Sequence, residues 1–303
     1  MPPRALSAVR KRSASRRPTI DRDGASGLSA GPALVGILNV TPDSFYDGGR
    51  YADVSQAVQR GLELFQAGAA WVDVGGMSTR PGSEEISVEE EIRRVAPVIR
   101  DLSAAHARGK PRPAPAWISI DTCRSAVAEK AMKAGAVCIN DVSGFSLDPD
   151  MCEFAASARC PVVITHMKGT PKTMQIAPSY DCLWEELLRF FEDRIGKFVK
   201  SGGSESFVLI DPGIGFGKTL EHNVDILRGI DRLHRLGRPL FLGCSRKSFI
   251  QRLDPSAPSA DQRLPGSLAA AAWAALRGVQ FLRVHDVAET AQFLRVWKAL
   301  THD

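Results

Sequence analysis

Cysteine pairs, long apolar runs and a charge surplus are all missing from the body of this chain, and each absence removes a class of protein. The six cysteines, at 123, 138, 152, 160, 182 and 244, form no C-x-x-C pair and mostly sit among apolar neighbours. That usage points to free buried thiols in a reducing compartment and away from a disulfide scaffold or a zinc site. No stretch approaches the roughly 18 uninterrupted apolar residues of a membrane span. The net charge of +5 belongs entirely to residues 1–32, where Arg4, Arg10, Lys11, Arg12, Arg16, Arg17 and Arg22 oppose only Asp21 and Asp23. Residues 33–303 are therefore neutral, which removes the electrostatic argument for nucleic-acid binding. The basic tail is rich in Arg, Ser, Pro and Gly without an apolar face, so disorder is expected. A cytoplasmic protein is the first expectation. The Arg- and Ser-rich, acid-poor first twenty residues keep a mitochondrial transit peptide as the alternative.

What the chain does have is eight short apolar segments rich in β-branched residues. They are Val35–Asn39, Trp71–Gly75, Trp117–Asp121, Ala136–Asn140, Val162–His166, Phe207–Asp211, Leu240–Gly243 and Phe281–His285. Continuous apolar runs suit strands buried on both faces, and helical stretches between them imply parallel pairing. Helical periodicity fills 53–67, 88–105, 124–134, 149–158, 181–200, 220–236, 266–277 and 287–300. A Pro-rich connection covers 110–115, and a long loop runs from Asp254 to Pro265. Eight β–α units in one neutral body of about the usual 250 residues predict a single (β/α)8 TIM barrel over 33–303. An open doubly wound sheet is the alternative. In such a barrel, polar residues at the C-terminal ends of the strands gather on one rim, where the chemistry is kept.

Three strand-end loops are long and rich in glycine. One of them, Asp211-Pro212-Gly213-Ile214-Gly215-Phe216-Gly217-Lys218-Thr219, imitates a phosphate-binding P-loop. The G-x-x-x-x-G-K-[ST] spacing would need glycine at 212, where proline stands, so a nucleotide cradle is not expected. Alternating glycines let the backbone approach a flat ligand with Phe216 packed against it, or simply form a tight turn.

Eight segments in register resemble one family. They are Asn39-Val40-Thr41-Pro42-Asp43-Ser44-Phe45, Ser78-Thr79-Arg80-Pro81-Gly82, Ser119-Ile120-Asp121-Thr122, Asn140-Asp141, His166-Met167, Asp211-Pro212-Gly213, Ser245-Arg246-Lys247-Ser248 and Arg283-Val284-His285-Asp286. Together they resemble the dihydropteroate synthases, over about Val35 to Ala299. The resemblance implies condensation of a dihydropterin methyl diphosphate with 4-aminobenzoate in folate synthesis, a Mg²⁺ requirement and a homodimer acting on small molecules. A pterin-binding methyltransferase-like barrel and a non-catalytic paralogue are the rival readings. Cys123, Tyr46 and Met77 depart from common family sequences without removing a ligand residue.

The residues fit that chemistry. A pterin offers an amide N–H beside an amino group, which one carboxylate can accept in parallel. Asp211 is expected in that role, with Asn140 and Asp121 completing the ring's partners. Helix N-caps are the competing reading of these positions, Asp121 above all. Arg283 and His285 share the inward face of the last strand, where a guanidinium is costly without an anion. With Asn39 they form the expected diphosphate pocket, Asn39 also serving as the Mg²⁺ ligand, because Mg²⁺ needs few protein oxygens beside phosphates. A structural pair of Arg283 with a carboxylate, Asp286 being one candidate, is the alternative. The resemblance puts Lys247 between the two substrates and Ser248 on the aminobenzoate carboxylate. It also makes Phe216 and Gly243 line the second pocket, with Thr79, Arg80 and Pro81 closing over it. Lys247, Arg283 and His285 are the expected catalytic residues. Read alone, Ser-Arg-Lys-Ser is a helix start with exposed charges. His166 and Met167 are expected to support the pocket, and Asp73 is either a ligand or a buried partner.

Overall fold

The computed structural model describes residues 31–41, 50–77, 85–108 and 117–301, with no side-chain description for 50–53. Its strands are β1 (Ala33–Asn39), β2 (Trp71–Gly75), β3 (Trp117–Asp121), β4 (Cys138–Asp141), β5 (Val162–Thr165), β6 (Val208–Asp211), β7 (Phe241–Leu242) and β8 (Phe281–Val284). All pairings are parallel, in the order β6-β5-β4-β3-β2-β1-β8-β7. An isolated parallel bridge from Ile210 to Leu240 joins the two ends. This is the expected eight-stranded barrel, not an open sheet.

Helices α1 (Arg50–Ala67), α2 (Val88–Arg108), α3 (Ser125–Ala134), α4 (Met151–Ala158), α5 (Leu183–Lys200), α6 (Leu220–Arg228), α7 (Ser248–Leu253), α8 (Leu264–Leu276) and α9 (Val287–Thr301) connect the strands. Two expectations need correction. The stretch 220–236 is not one helix: α6 stops before Gly229, and Ile230–Leu236 continues as a 3₁₀ segment. The region 254–265 is not a plain loop either, because Ala260–Arg263 forms a 3₁₀ turn leading directly into α8. Residues 1–30, the expected tail and leader, lie outside the described residues, as do 42–49 and 78–84. Among the described residues, no helix is long and apolar enough to cross a membrane.

Strand alternation sorts the barrel into two apolar zones. Outward residues such as Leu34, Leu38, Val72, Ile120, Ile210 and Leu282 pack under the helices. Inward residues form a separate cluster of Ala33, Val35, Trp71, Trp117, Cys138, Val163, Leu209, Phe241 and Phe281. Trp71 meets Trp117, Phe241 and Phe281 edge to face, at ring separations of 5.5, 5.8 and 5.5 Å. These four rings floor the barrel. Above them, the next inward positions turn polar: Asp73 and Ser119 are neighbours in register, as are Asp121 and Asn140.

Replacing Trp71 by Ala should open a cavity under that polar layer and cost about 3–5 kcal/mol of folding stability in chemical denaturation. A loss below about 1 kcal/mol would show that the floor is not the main inner core.

Candidate functional site

Asp73, fully buried on β2, organises the polar layer. Its Oδ2 accepts from Arg283 Nε at 2.6 Å and from Asn140 Nδ2 at 2.9 Å, while Oδ1 accepts from Ser119 Oγ. Arg283 extends from β8 and also donates Nη2 to Asp121 Oδ2 at 2.6 Å. One carboxylate therefore ties together four strands. The choice left open for Asp73 is resolved: it is a buried partner of Arg283. The structural carboxylate pairing kept as the alternative for Arg283 is present, but with Asp73 and Asp121; the suggested partner Asp286 is occupied by Arg246, whose Nε lies 2.9 Å from Asp286 Oδ2. The helix-cap reading of Asp121 is corrected too. Helix α3 is flanked by Arg124 with no side-chain cap, and Ser125 N donates to Asp148 instead.

Two oxygens in this layer have no hydrogen-bond partner among the described residues: Asp121 Oδ1 and Asn140 Oδ1. Buried polar atoms are nearly always paired, so this combination marks a place where a donor-bearing ligand belongs. The nearby cleft, about 400 Å³ counted out to open solvent, is lined by Asn140, Asp211, Phe216, Gly243, Lys247, Arg283 and His285, together with Ile37, Val142, Thr165, Phe241 and Ser245. Asn39, Asp121 and Ser248 are not among its lining residues. Asp121 connects to it through Arg283. Asn39 Oδ1 stands at the rim: it and Asp121 Oδ2 both lie within 4 Å of where a Cβ on Gly75 would sit. Ser248 is exposed on the first turn of α7. Thr79, Arg80 and Pro81 lie outside the described residues.

Asp211 ends β6, and backbone amides position it: Gly213 N donates to Oδ1 at 2.7 Å and Gly243 N to Oδ2 at 3.2 Å. Each oxygen keeps a further lone pair for a ligand. Lys247 donates to Ile214 O, and its Nζ stands 4.0 Å over the Phe216 ring, a cation–π contact. Its neighbour Arg246 adopts a left-handed backbone, φ 58°. Arg246 N donates to Ser267 Oγ, and its guanidinium reaches Asp286 and Asp261. The charges in Ser-Arg-Lys-Ser are therefore engaged, not loosely exposed. His285 Nδ1 shares a hydrogen bond with Ser245 Oγ at 3.1 Å.

Burial is the largest influence on the ionisable groups here. It pushes Asp121 up to about 7 against the pull of Arg283, and raises Asp211 despite its two amide donors. It brings Lys247 down to about 8, with Asp211 working in the opposite direction. Asp141, beside Asn140, is also raised by burial, but its oxygens accept from Ser143 N and Phe145 N and shape the turn after β4. All six cysteines are free and all but Cys182 are buried. No group of three or more His, Cys, Asp or Glu suited to a metal occurs among the described residues.

A family model described as pterin binding enzyme matches residues 35–285. The chain belongs to the pterin binding enzyme family. It is 44% identical over 268 residues to dihydropteroate synthase of Escherichia coli K12, covering 88% of this chain and 91% of that relative. The Yersinia pestis dihydropteroate synthase solved as a sulfonamide drug complex superposes with a TM-score of 0.80 at 41% identity, covering 91% of this chain and 97% of the other. The Xanthomonas albilineans enzyme in complex with 7,8-dihydropteroate gives 0.78 at 42% identity, covering 90% and 94%. The likeness to dihydropteroate synthases carried by the eight motifs is thus borne out. These relatives are bacterial, and none supports a mitochondrial leader.

Sequence reasoning could not rank Asp73 and did not single out Ser119 as its partner. The available signal was the alternation Trp71, Asp73, Gly75, which places an ionisable side chain inside the barrel between an aromatic and a glycine.

Labelling of Lys247 by an amine-directed reagent should rise with a midpoint near pH 8, because the ammonium is inert and the free amine nucleophilic. Surface lysines should keep rising toward about 10.4. A Lys247 midpoint coinciding with theirs would contradict the buried setting.

Proposed function

We propose that this chain condenses (7,8-dihydropterin-6-yl)methyl diphosphate with 4-aminobenzoate, forming 7,8-dihydropteroate and diphosphate in folate biosynthesis. The observation that carries this reading is the pair of orphaned acceptors, Asp121 Oδ1 and Asn140 Oδ1, beside an Arg283 already locked by two carboxylates. A pterin brings ring N–H donors to such acceptors, and Asp211 takes its amide and amino edge. Lys247, between Asp211 and Phe216, contacts the pterin and the edge of the second substrate.

Displacement occurs at the pterin methylene carbon: its C–O bond to diphosphate breaks, a C–N bond to the aromatic amine forms, and the resulting acidic anilinium loses one proton to water or to the departing diphosphate. The electron-rich ring spreads the developing positive charge, while Arg283, His285 and Asn39 face the leaving diphosphate. The amine is uncharged at neutral pH and needs positioning more than deprotonation, so no covalent enzyme intermediate is required. Phe216, Gly243 and Ser248 hold the aminobenzoate, with Thr79, Arg80 and Pro81 closing over it. Asn39 offers one hard oxygen at the rim near Asp121 Oδ2, with no denser acidic group around it among the described residues. That donor set suits Mg²⁺ bound mainly through the substrate's phosphates. When bound, the ion neutralises diphosphate charge.

The same reading takes the protein as a cytoplasmic homodimer, with residues 33–303 as its one catalytic domain. Five buried free thiols support the compartment. Exposed Leu253, Leu276, Val296 and Leu300 on α7, α8 and α9 offer apolar surface for a second copy. No observation favours a methyltransferase-like barrel or a non-catalytic paralogue, and Asn140, Asp211, Lys247, Arg283 and His285 line one cleft with Phe216 and Gly243.

Diphosphate release should require both substrates together. Arg283→Ala should lower kcat/KM by about a hundredfold or more and, by leaving the buried Asp73 unpaired, cost about 3–5 kcal/mol of stability, so its rate is read on protein shown to be folded by circular dichroism. Release from the dihydropterin alone, or wild-type rates in the variant, would contradict the reading. Sulfonamides should compete with 4-aminobenzoate, and their failure to do so at scarce 4-aminobenzoate would misplace the Phe216–Lys247 pocket.

A further inference from the structure

Lys218 is only 1% exposed, yet among the described residues no carboxylate is hydrogen-bonded to it, and Asp211 acts on it only from a distance. Its Nζ donates to His166 O at 3.2 Å and Phe216 O at 3.1 Å, and shares a hydrogen bond with His166 Nδ1 at 2.8 Å. A buried amine in such a place is costly unless each of its polar atoms is used. Burial holds both Lys218 and His166 well below their ordinary basicity. Two N–H groups go to the two carbonyls and the third position of the nitrogen bonds His166 Nδ1, so the bond count closes whichever of the two nitrogens donates.

The neighbouring carbonyls are claimed in the same way. Ile214 O accepts from Lys247, Gly215 O from Gln175 at 2.6 Å, and Gly217 O from Tyr180 at 2.7 Å. Four consecutive carbonyls, 214 to 217, thus each accept from a side chain, and Gln175 and Tyr180 come from the loop after β5. The two loops also run in backbone contact. A Cβ on Gly213 would strike His166 O, and one on Gly217 would strike Lys168 O.

We propose that Lys218, with Gln175 and Tyr180, is a positioning clamp that fixes the loop after β6 before ligand arrives and thereby sets affinity for 4-aminobenzoate. The inference rests on the reading of Phe216 and Lys247 as the aminobenzoate wall. Asp211 is set by its strand, by Gly243 N and by Gly213 N at the base of the loop, ahead of the clamped carbonyls 214–217, so pterin binding depends on the clamp less than aminobenzoate binding does.

The test compares wild type with Lys218→Met and Tyr180→Phe, the second removing one hydroxyl from a partly exposed residue. Steady-state kinetics give KM for each substrate, and hydrogen exchange in the ligand-free protein follows amides 213–218. The KM for 4-aminobenzoate should rise about tenfold in Lys218→Met and about threefold in Tyr180→Phe, with the dihydropterin KM within about twofold. Amides 213–218 should exchange faster in both variants while the barrel strands stay protected. If Lys218→Met does not fold, Tyr180→Phe carries the comparison. Proportional changes in both KM values, or unchanged exchange at 213–218, would overturn the clamp. A wild-type protein that turns over neither substrate would instead refute the proposed function, and the exchange measurement would still decide whether the loop is clamped.

Discussion

The ion pair between Asp73 and Arg283, inside the barrel and above four aromatic rings, is the constraint on which the site depends. Neither charge could be buried there alone: an unpaired carboxylate or guanidinium in that position would cost several kcal/mol. Paired, they fix each other, and Asp73 still has lone pairs for Asn140 and Ser119. The aromatic floor excludes solvent from below, so Arg283 is directed toward the mouth. There its second arm reaches Asp121. The costs of desolvation and ordering are met when the chain folds, not when ligand binds, which is how a preorganised site gains affinity.

The remaining features of the mouth follow from that layer. With Arg283 satisfied on one side of Asp121, the other oxygen is left unpaired, as is the Asn140 carbonyl. Burial raises Asp121 to about 7 and lowers Lys247 to about 8, so these two groups exchange charge near neutral pH, and it raises Asp211 as well. An electrically adaptable rim of this kind suits a flat, polar heterocycle that must be held by its edge. On the opposite wall, Lys247 lies over Phe216 and its strained neighbour Arg246 is anchored to Asp286, so the loops after β7 and β8 are tied to each other.

Much of this was legible in the sequence because buried parallel strands write continuous apolar runs, and those runs located all eight strands. Their ends shifted by a residue or two where pairing, not composition, sets the limit: β7 keeps only Phe241 and Leu242. The break at Gly229 was hidden because the apolar spacing runs on through it from Ile226 to Leu233. The motif residues Asn140, Asp211, Lys247, Arg283 and His285 line one cleft as a barrel requires. Asp73 could not be ranked, because its role comes from strands β3, β4 and β8 far away in sequence. Lys218 resembled the lysine of a phosphate loop, and only the packed loop after β5 reveals what it holds. That Arg283 meets a carboxylate was foreseeable, but its partners Asp73 and Asp121, and not the nearby Asp286, were hidden for the same reason: proximity in sequence says little about what an inward strand residue meets across a barrel.

The most direct test of a prebuilt polar socket is a calorimetric titration of the ligand-free protein with a pterin and with the same ring lacking its amino group. A site whose buried acceptors are already fixed should reject the stripped ring by about a hundredfold or more, because removing a donor leaves an acceptor unpaired in the complex. Equal affinity for the two rings would contradict the account.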